Sequence, residues 1–297
     1  MRKWAMIIDV AKCEDCNNCF LACKDEHVDN EWSGYSAAQP RHGQRWINIE
    51  RHERGLFPII DVAYRPTPCM HCDDAPCLRA AQNGAVVKRK DGVVLLDPQK
   101  AVGQRQLIEA CPYHAIYWNE ERNTPQKCTF CAHLLDQGWE KPRCAHSCPT
   151  GALRVERLED SELAQLVEQE QLETLLPERN TRPRVYYKNL YRFACCFLAG
   201  SIAIDINGKQ ECASGAVVTL YQGESKLDQI VTGNYGDFKF DRLKPDSGDY
   251  SIRVELDGWT AATLFARIDN DSLNLGVIAL RLSGTSNNAE PRRLSLV

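Results

Sequence analysis

The sequence has no long apolar run and no strong excess of either charge. Its longest apolar stretch, ACCFLAGSIAI at 194–204, falls well short of the roughly 20 residues needed to span a bilayer. The 36 basic and 40 acidic residues leave a net charge of −4, so no global basic field invites nucleic acid. The N-terminus, MRKWAMIIDVAKC, starts basic, but its apolar run is short, broken by Asp9, and leads into Cys13. It lacks the layout of a secretion signal and reads as a strand feeding a cysteine motif. A Walker loop, a GxGxxG fingerprint and a nucleophile–base arrangement are missing too, so catalysis by this chain alone is unsupported. Together these absences predict a soluble, cytoplasmic protein whose cysteines sit on metal rather than on each other.

Cysteine is what the chain has in excess, with 15 among 297 residues. Twelve fall before residue 149, in groups: Cys13, Cys16, Cys19 and Cys23 in CEDCNNCFLAC; Cys69, Cys72 and Cys77 in CMHCDDAPC; Cys111 alone before Pro112; and Cys128, Cys131, Cys144 and Cys148. C-x2-C-x2-C-x3-C is the spacing of bacterial ferredoxins, whose fourth cysteine ligates the other cluster of a pair. The first group departs from that form only in lacking a proline after Cys23, whereas Cys111 and Cys148 both have one.

A repeat explains the solitary Cys111. Laying 7–23 over 94–111 at an offset of 88 aligns Asp9 with Asp97, Lys12 with Lys100 and Cys23 with Cys111. Cys13, Cys16 and Cys19 then fall on Ala101, Gln104 and Leu107. The second motif repeats as well, pairing Cys69 with Cys128, Cys72 with Cys131 and Cys77 with Cys144, while Ala81 takes the place of Cys148. Of sixteen ligand positions twelve are filled and four empty. If each motif gives three ligands to one cluster and its last to the partner's, the four empty positions belong to one lost site. Three complete sites remain: Cys13, Cys16, Cys19 with Cys148; Cys128, Cys131, Cys144 with Cys23; and Cys69, Cys72, Cys77 with Cys111.

Zinc is the plainer alternative, since 69–72 and 128–131 could form paired C-x2-C knuckles; the 13–16–19 triple with distant Cys-Pro partners suits a knuckle poorly. His71, His114, His133 and His146 lie beside ligand cysteines and are read as packing or hydrogen-bonding groups rather than ligands. Cys195, Cys196 and Cys212 fall outside the pattern and read as buried apolar thiols.

Residues 31–55, rich in Trp and Arg, read either as a cover over the sites or as a docking surface, with WINIE a strand. ALRVERL reads as a strand, EDSELAQLVEQEQLETLLP as a helix with Asp160 as N-cap and Pro177 beyond its end, and RPRVYYKNLYRF (182–193) as a return along the surface. From about 197, seven alternating runs divided by turn signals at Asn207-Gly208, Gly233-Asn234, Ser247-Gly248 and Asp257-Gly258 predict an immunoglobulin- or transthyretin-like sandwich. The expected class is therefore α+β: a double ferredoxin-like domain with a pseudo-twofold repeat over 1–195, a β-sandwich over 196–283 and a flexible tail over 284–297.

The cysteine layout resembles the four-motif iron–sulfur subunits of the dimethyl sulfoxide reductase family of molybdenum enzymes. The loss of one cluster, with INIERHERG, YRPTPCMHC, QKCTFCAHLLD, RPRVYYKNLYRF and a C-terminal β domain, resembles in particular the small subunits of the pyrogallol–phloroglucinol transhydroxylase and resorcinol hydroxylase group. The resemblance implies three [4Fe–4S] clusters here and a large partner subunit carrying a bis-pterin molybdenum cofactor, where a hydroxyl is moved onto a phenolic ring. The clusters would then poise the molybdenum or carry electrons to an external acceptor. The alternatives are an electron-transfer subunit of another reductase of that family and a zinc-stabilised binding module.

Overall fold

A computed structural model describes residues 1–206 and 208–283. The expected tail, 284–297, and Asn207 of the first turn signal lie outside the described residues. The chain divides into two compact units: residues 1–51 with 63–190, and residues 52–62 with the chain from 191 on.

In the first unit the largest sheet has three strands. Lys3–Asp9 is central, antiparallel to Leu153–Leu158 and parallel to Val185–Lys188. Its middle, Ala5 to Ile8, is buried throughout, which is why KWAMIID reads as a continuous apolar run rather than an alternation. The segment 182–193 does not follow the surface as the sequence suggested: Val185 and Tyr187 are fully buried, and the strand they form completes the sheet. The helix Asp160–Glu170 begins one residue earlier than expected. Glu159 is its N-cap, in a capping box with Glu162, while Asp160 sits in the first turn, paired with Lys3 and Arg184. Gln171 in the left-handed conformation ends it, and Pro177 lies beyond that end as expected.

The rest of the unit includes short hairpins, Val86–Lys88 with Val94–Leu96 and Tyr117–Asn119 with Thr124–Gln126, the ten-residue helix Asn18–His27 and helices of four or five residues. The repeat is visible in one turn. Ala11 N–H donates to Asp9 Oδ1 and Gln99 N–H to Asp97 Oδ1, both at 3.0 Å; each pair of positions differs by the same 88 residues. Three of the positions read as empty ligand places are packed with side chains. Ala101 and Leu107 are fully buried, and Gln104 is buried with its amide bonded to the backbone of Gln82 and Lys100.

The second unit is largely β. One sheet holds Cys196–Ile206 with Lys209–Cys212, Asp237–Leu243 and Leu273–Leu280; the other runs Ser225–Val231, Val217–Gln222, Gly248–Glu255, Ala262–Ile268. Both bury alternate residues into one apolar core containing Leu198, Ile202, Val218, Leu220, Phe240, Ile252 and Val254, the period-2 pattern the sequence displays. Residues 52–62 are held in this unit by a buried ion network. Arg54, fully buried, donates to Asp61, to Asp241 at 2.9 Å and to the Cys195 carbonyl at 2.8 Å. Arg192 and Lys239 reach Asp61 at 2.6 and 3.3 Å. Gly55, at φ +82°, is required there: a Cβ would meet the Ile59 carbonyl and the Phe197 ring at 2.5 Å.

The remaining cysteines fit the expectation unevenly. Cys196 is buried, but Cys195 is half-buried and Cys212 is exposed. Cys212 ends a strand exposed at every position, so no apolar interior reaches it.

Candidate metal centres

The twelve motif cysteines all lie in the first unit. The helix Asn18–His27 organises two of the sets. Cys19, Cys23 and His27 are spaced four apart and therefore share a face, and all three are buried. Cys13, Cys16 and Cys148 gather around Cys19. Burial, then the neighbouring Cys13 with Cys148 and Cys16 behind it, pushes the Cys19 thiol up to about 12. Cys16 is exposed and Cys13 and Cys148 are half-buried, so this set lies at the surface.

One turn further on, Cys23, Cys128, Cys131 and Cys144 line a cavity together with Met6, His27, Trp46 and Phe130. Burial pushes Cys131 to about 12 and Cys23 and Cys144 well above the ordinary thiol value, each raised further by other members of the set. A second cavity is lined by Cys69, Cys72, Cys77 and Cys111, with Pro112, Tyr113 and Lys127. Here burial and then Cys69 raise Cys72 to about 12, while burial takes Cys77 to about 11. Cys144 is also raised by Cys19, and Cys128 by Cys69. The Cys23 set therefore stands between the other two.

The loops between the motif cysteines use a backbone that few residues adopt. Asp15, Asn17, His71, Phe130 and Cys131 all have positive φ, between 45° and 60°, which turns successive N–H groups into a concavity suited to an anion. His71 N–H points at Cys69 Sγ (3.5 Å), Phe130 N–H at Cys128 Sγ (3.4 Å) and Ala115 N–H at Cys111 Sγ (3.5 Å). The first two occupy equivalent places in the repeat.

Lys127 supplies an independent test of charge. It is buried, and its ammonium donates to the carbonyls of Val94 and Cys128, with no carboxylate in ion-pair reach among the described residues. A buried cation is strongly unfavourable without a counter-charge. The groups it faces are Cys77, Cys111 and Cys128, each of whose thiols it lowers against the effect of burial. Deprotonated, metal-bound sulfur would satisfy it. The thiols also surround spaces instead of converging on a point: among the described residues no three His, Cys, Asp or Glu side chains are set to hold a single metal ion. The donor set thus fits a bulky, anionic, sulfur-ligated group, and thiols raised by burial are poor nucleophiles.

The four histidines beside the motif cysteines are of two kinds, two buried and two exposed. His71 is buried and accepts from Val94 N–H at 3.1 Å. His133 stacks on Trp32, with centroids 4.1 Å apart, and meets Glu26 at 2.9 Å. His114 is exposed, and so is His146, which rests against Trp139. Trp32 and Trp46 of the 31–55 segment turn inward on these groups, as a cover does. His27 and Lys127 were missed by sequence reasoning. His27 could have been found by counting four residues on from Cys23; for Lys127, next to Cys128, no feature marked the side chain as buried.

The cysteine geometry defines a ferredoxin-type protein, and a family model for a 4Fe-4S dicluster domain matches residues 60–158. The chain is 48% identical over 283 residues to the pyrogallol hydroxytransferase small subunit of Pelobacter acidigallici, a match that covers 94% of this chain and all of that protein. It belongs to the family of iron–sulfur subunits that contains this relative. The arsenate respiratory reductase iron–sulfur subunit of Shewanella sp. (strain ANA-3) is 30% identical, over 61% of this chain and 94% of that one. A tetrathionate reductase subunit of Salmonella typhimurium is 32% identical, over 63% and 73%. No helix among the described residues is long and apolar enough to cross a membrane.

Proposed function

We propose that this chain is the electron-transfer subunit of a molybdenum hydroxylase or transhydroxylase acting on phenolic aromatics, and that it holds three [4Fe–4S] clusters. Cys13, Cys16, Cys19 and Cys148 hold one, Cys23, Cys128, Cys131 and Cys144 the second, and Cys69, Cys72, Cys77 and Cys111 the third. Such clusters supply one-electron storage at potentials set by hydrogen bonds to sulfur, charge and exposure. The chain's part is to insulate two sets in closed cavities, to leave the Cys16 set at the surface, and to place the Cys23 set between them. The observation that carries the reading is Cys111, whose side chain lines the same cavity as Cys69, Cys72 and Cys77, a grouping that supports crossed ligation.

The substrate class follows the relative that shares nearly the whole chain, including the β region; the arsenate and tetrathionate relatives match over less than two thirds of it. The catalytic centre, with its bis-pterin molybdenum, would belong to a large partner in a cytoplasmic complex. We read the β region as a transthyretin-like sandwich, on the support of two sheets sharing one core. The test is anaerobic purification of the complex from its host through a tag on this chain. About twelve iron per chain, molybdenum in a large partner and activity on phenols are expected. Activity on sulfur, arsenic or nitrogen oxyanions would replace the substrate assignment, and zinc without iron would sink the proposal.

A further inference from the structure

His27 is a polar ring placed where few hydrogen-bonding partners exist. It is 1% exposed and lines the cavity of Cys23, Cys128, Cys131 and Cys144. Trp46 covers one face, with centroids 4.7 Å apart, and the His133 ring meets it edge-on at 5.5 Å. Its Nδ1 has no protein partner, while Nε2 lies 3.9 Å from Cys131 Sγ. A metal-bound thiolate can only accept. The one neighbour able to satisfy the ring is therefore the sulfur, and the proton belongs on Nε2, because on Nδ1 it would be a buried donor with nothing to bond. The backbone supports this placement: His27 is the last residue of the helix that carries Cys23, one turn back on the same face.

We propose that Nε2–H of His27 donates a hydrogen bond to Cys131 Sγ and raises the reduction potential of the middle iron–sulfur site above the value its backbone donors alone would set. Reduction adds negative charge to the ligated group, and a donor aimed at one of its sulfurs stabilises that charge. His27 is a positioning residue, acting through Cys131. Its position in the middle set makes it a control on traffic between the Cys16 set and the Cys69 set. The inference rests on the assignment of an iron–sulfur cluster to this cavity.

The experiment is a redox titration of the complex followed by electron paramagnetic resonance, with iron counted in parallel. In His27→Phe, which keeps the ring volume, iron content stays unchanged and one midpoint of three moves to lower potential. The ratio of reduced to oxidised cluster at the original midpoint falls several-fold; a tenfold fall corresponds to about 59 mV for a one-electron couple. His27→Gln, whose amide N–H can reach the sulfur, restores part of the shift. A fully loaded His27→Phe protein with all three midpoints unmoved, or with all three displaced together, overturns the proposal while leaving the cluster assignment intact. If His27→Phe loses iron, the unmutated complex labelled with 15N-histidine decides: a nitrogen coupling on one reduced cluster supports the hydrogen bond, and its absence overturns it. Failure of the cluster assignment is distinguishable, because it appears in the unmutated protein as an iron count other than about twelve.

Discussion

The two units are held together by different means. The β unit has what a soluble domain ordinarily uses: paired strands of seven or eight residues and a common core of aliphatic and aromatic side chains. The cysteine unit has a three-stranded sheet, hairpins with strands of three residues and helices mostly of four or five. At its centre the side chains that meet are thiols, lining two cavities. Where one unit buries carbon against carbon, the other folds its backbone, at strained positive φ, around groups that only an inorganic partner can join. Binding energy is then folding energy.

Metal removal is the widest separation of the two. Anaerobic chelation of iron is expected to abolish hydrogen-exchange protection along Lys3–Asp9 and Leu153–Leu158, and to leave Gly248–Glu255 protected. Loss of protection in both units at once would erase the distinction. A smaller effect comes from the ion network of the β unit. Arg54→Met leaves Asp61 and Asp241 without their shared buried cation and should destabilise that unit by about 3–5 kcal/mol, seen as a lower midpoint in its own denaturation with iron content unchanged.

The same network sets an acid limit. Burial raises Asp61, but hydrogen bonds from Arg192 and Arg54 outweigh it and hold it well below the usual carboxylate range; Asp241 is lowered in the same way by Arg54. A depressed carboxyl contributes stability in full above its ordinary value of about 4 and loses it as pH falls through the folded value. The β unit of the unmutated chain should therefore weaken below about pH 4, and Arg54→Met should flatten that dependence. Equal acid slopes in the two proteins would remove the network from the account. The smallest effect expected is at Cys212. This exposed thiol ends an exposed strand, so Cys212→Ala should change stability by less than about 0.5 kcal/mol and leave every cluster signal in place. A lost signal would give that thiol a role it is not assigned.

How much could be read in advance also differs between the units. The strands from 197 on were legible because one face of each sheet is buried, and burial on one face writes a period of two into the sequence. Cysteine grouping was legible for another reason. Local spacing marks the candidate ligands, and the offset of 88 tied Cys111 to Cys23 before any fold was known. What escaped depends on contacts between distant segments. Asp160 looked like a cap because its composition suits one, but Glu159 and Glu162 close the capping box. RPRVYYKNLYRF looked like surface because Arg and Tyr are frequent there, yet the strand it forms buries Val185 and Tyr187 against Lys3–Asp9. Lys127 and His27 are ordinary polar residues by type. Only the folded chain brings one beside Cys77 and Cys111 and the other against Cys131.

Crossed ligation is tested most directly by Cys111→Ser in the purified complex, with iron counted and the paramagnetic spectrum compared with that of Cys69→Ser. Three crossed sites predict that both variants damage the same cluster, lose up to about four iron per chain, and leave the other two signals untouched. Unchanged iron and an unchanged spectrum in Cys111→Ser, beside a lost cluster in Cys69→Ser, would contradict it.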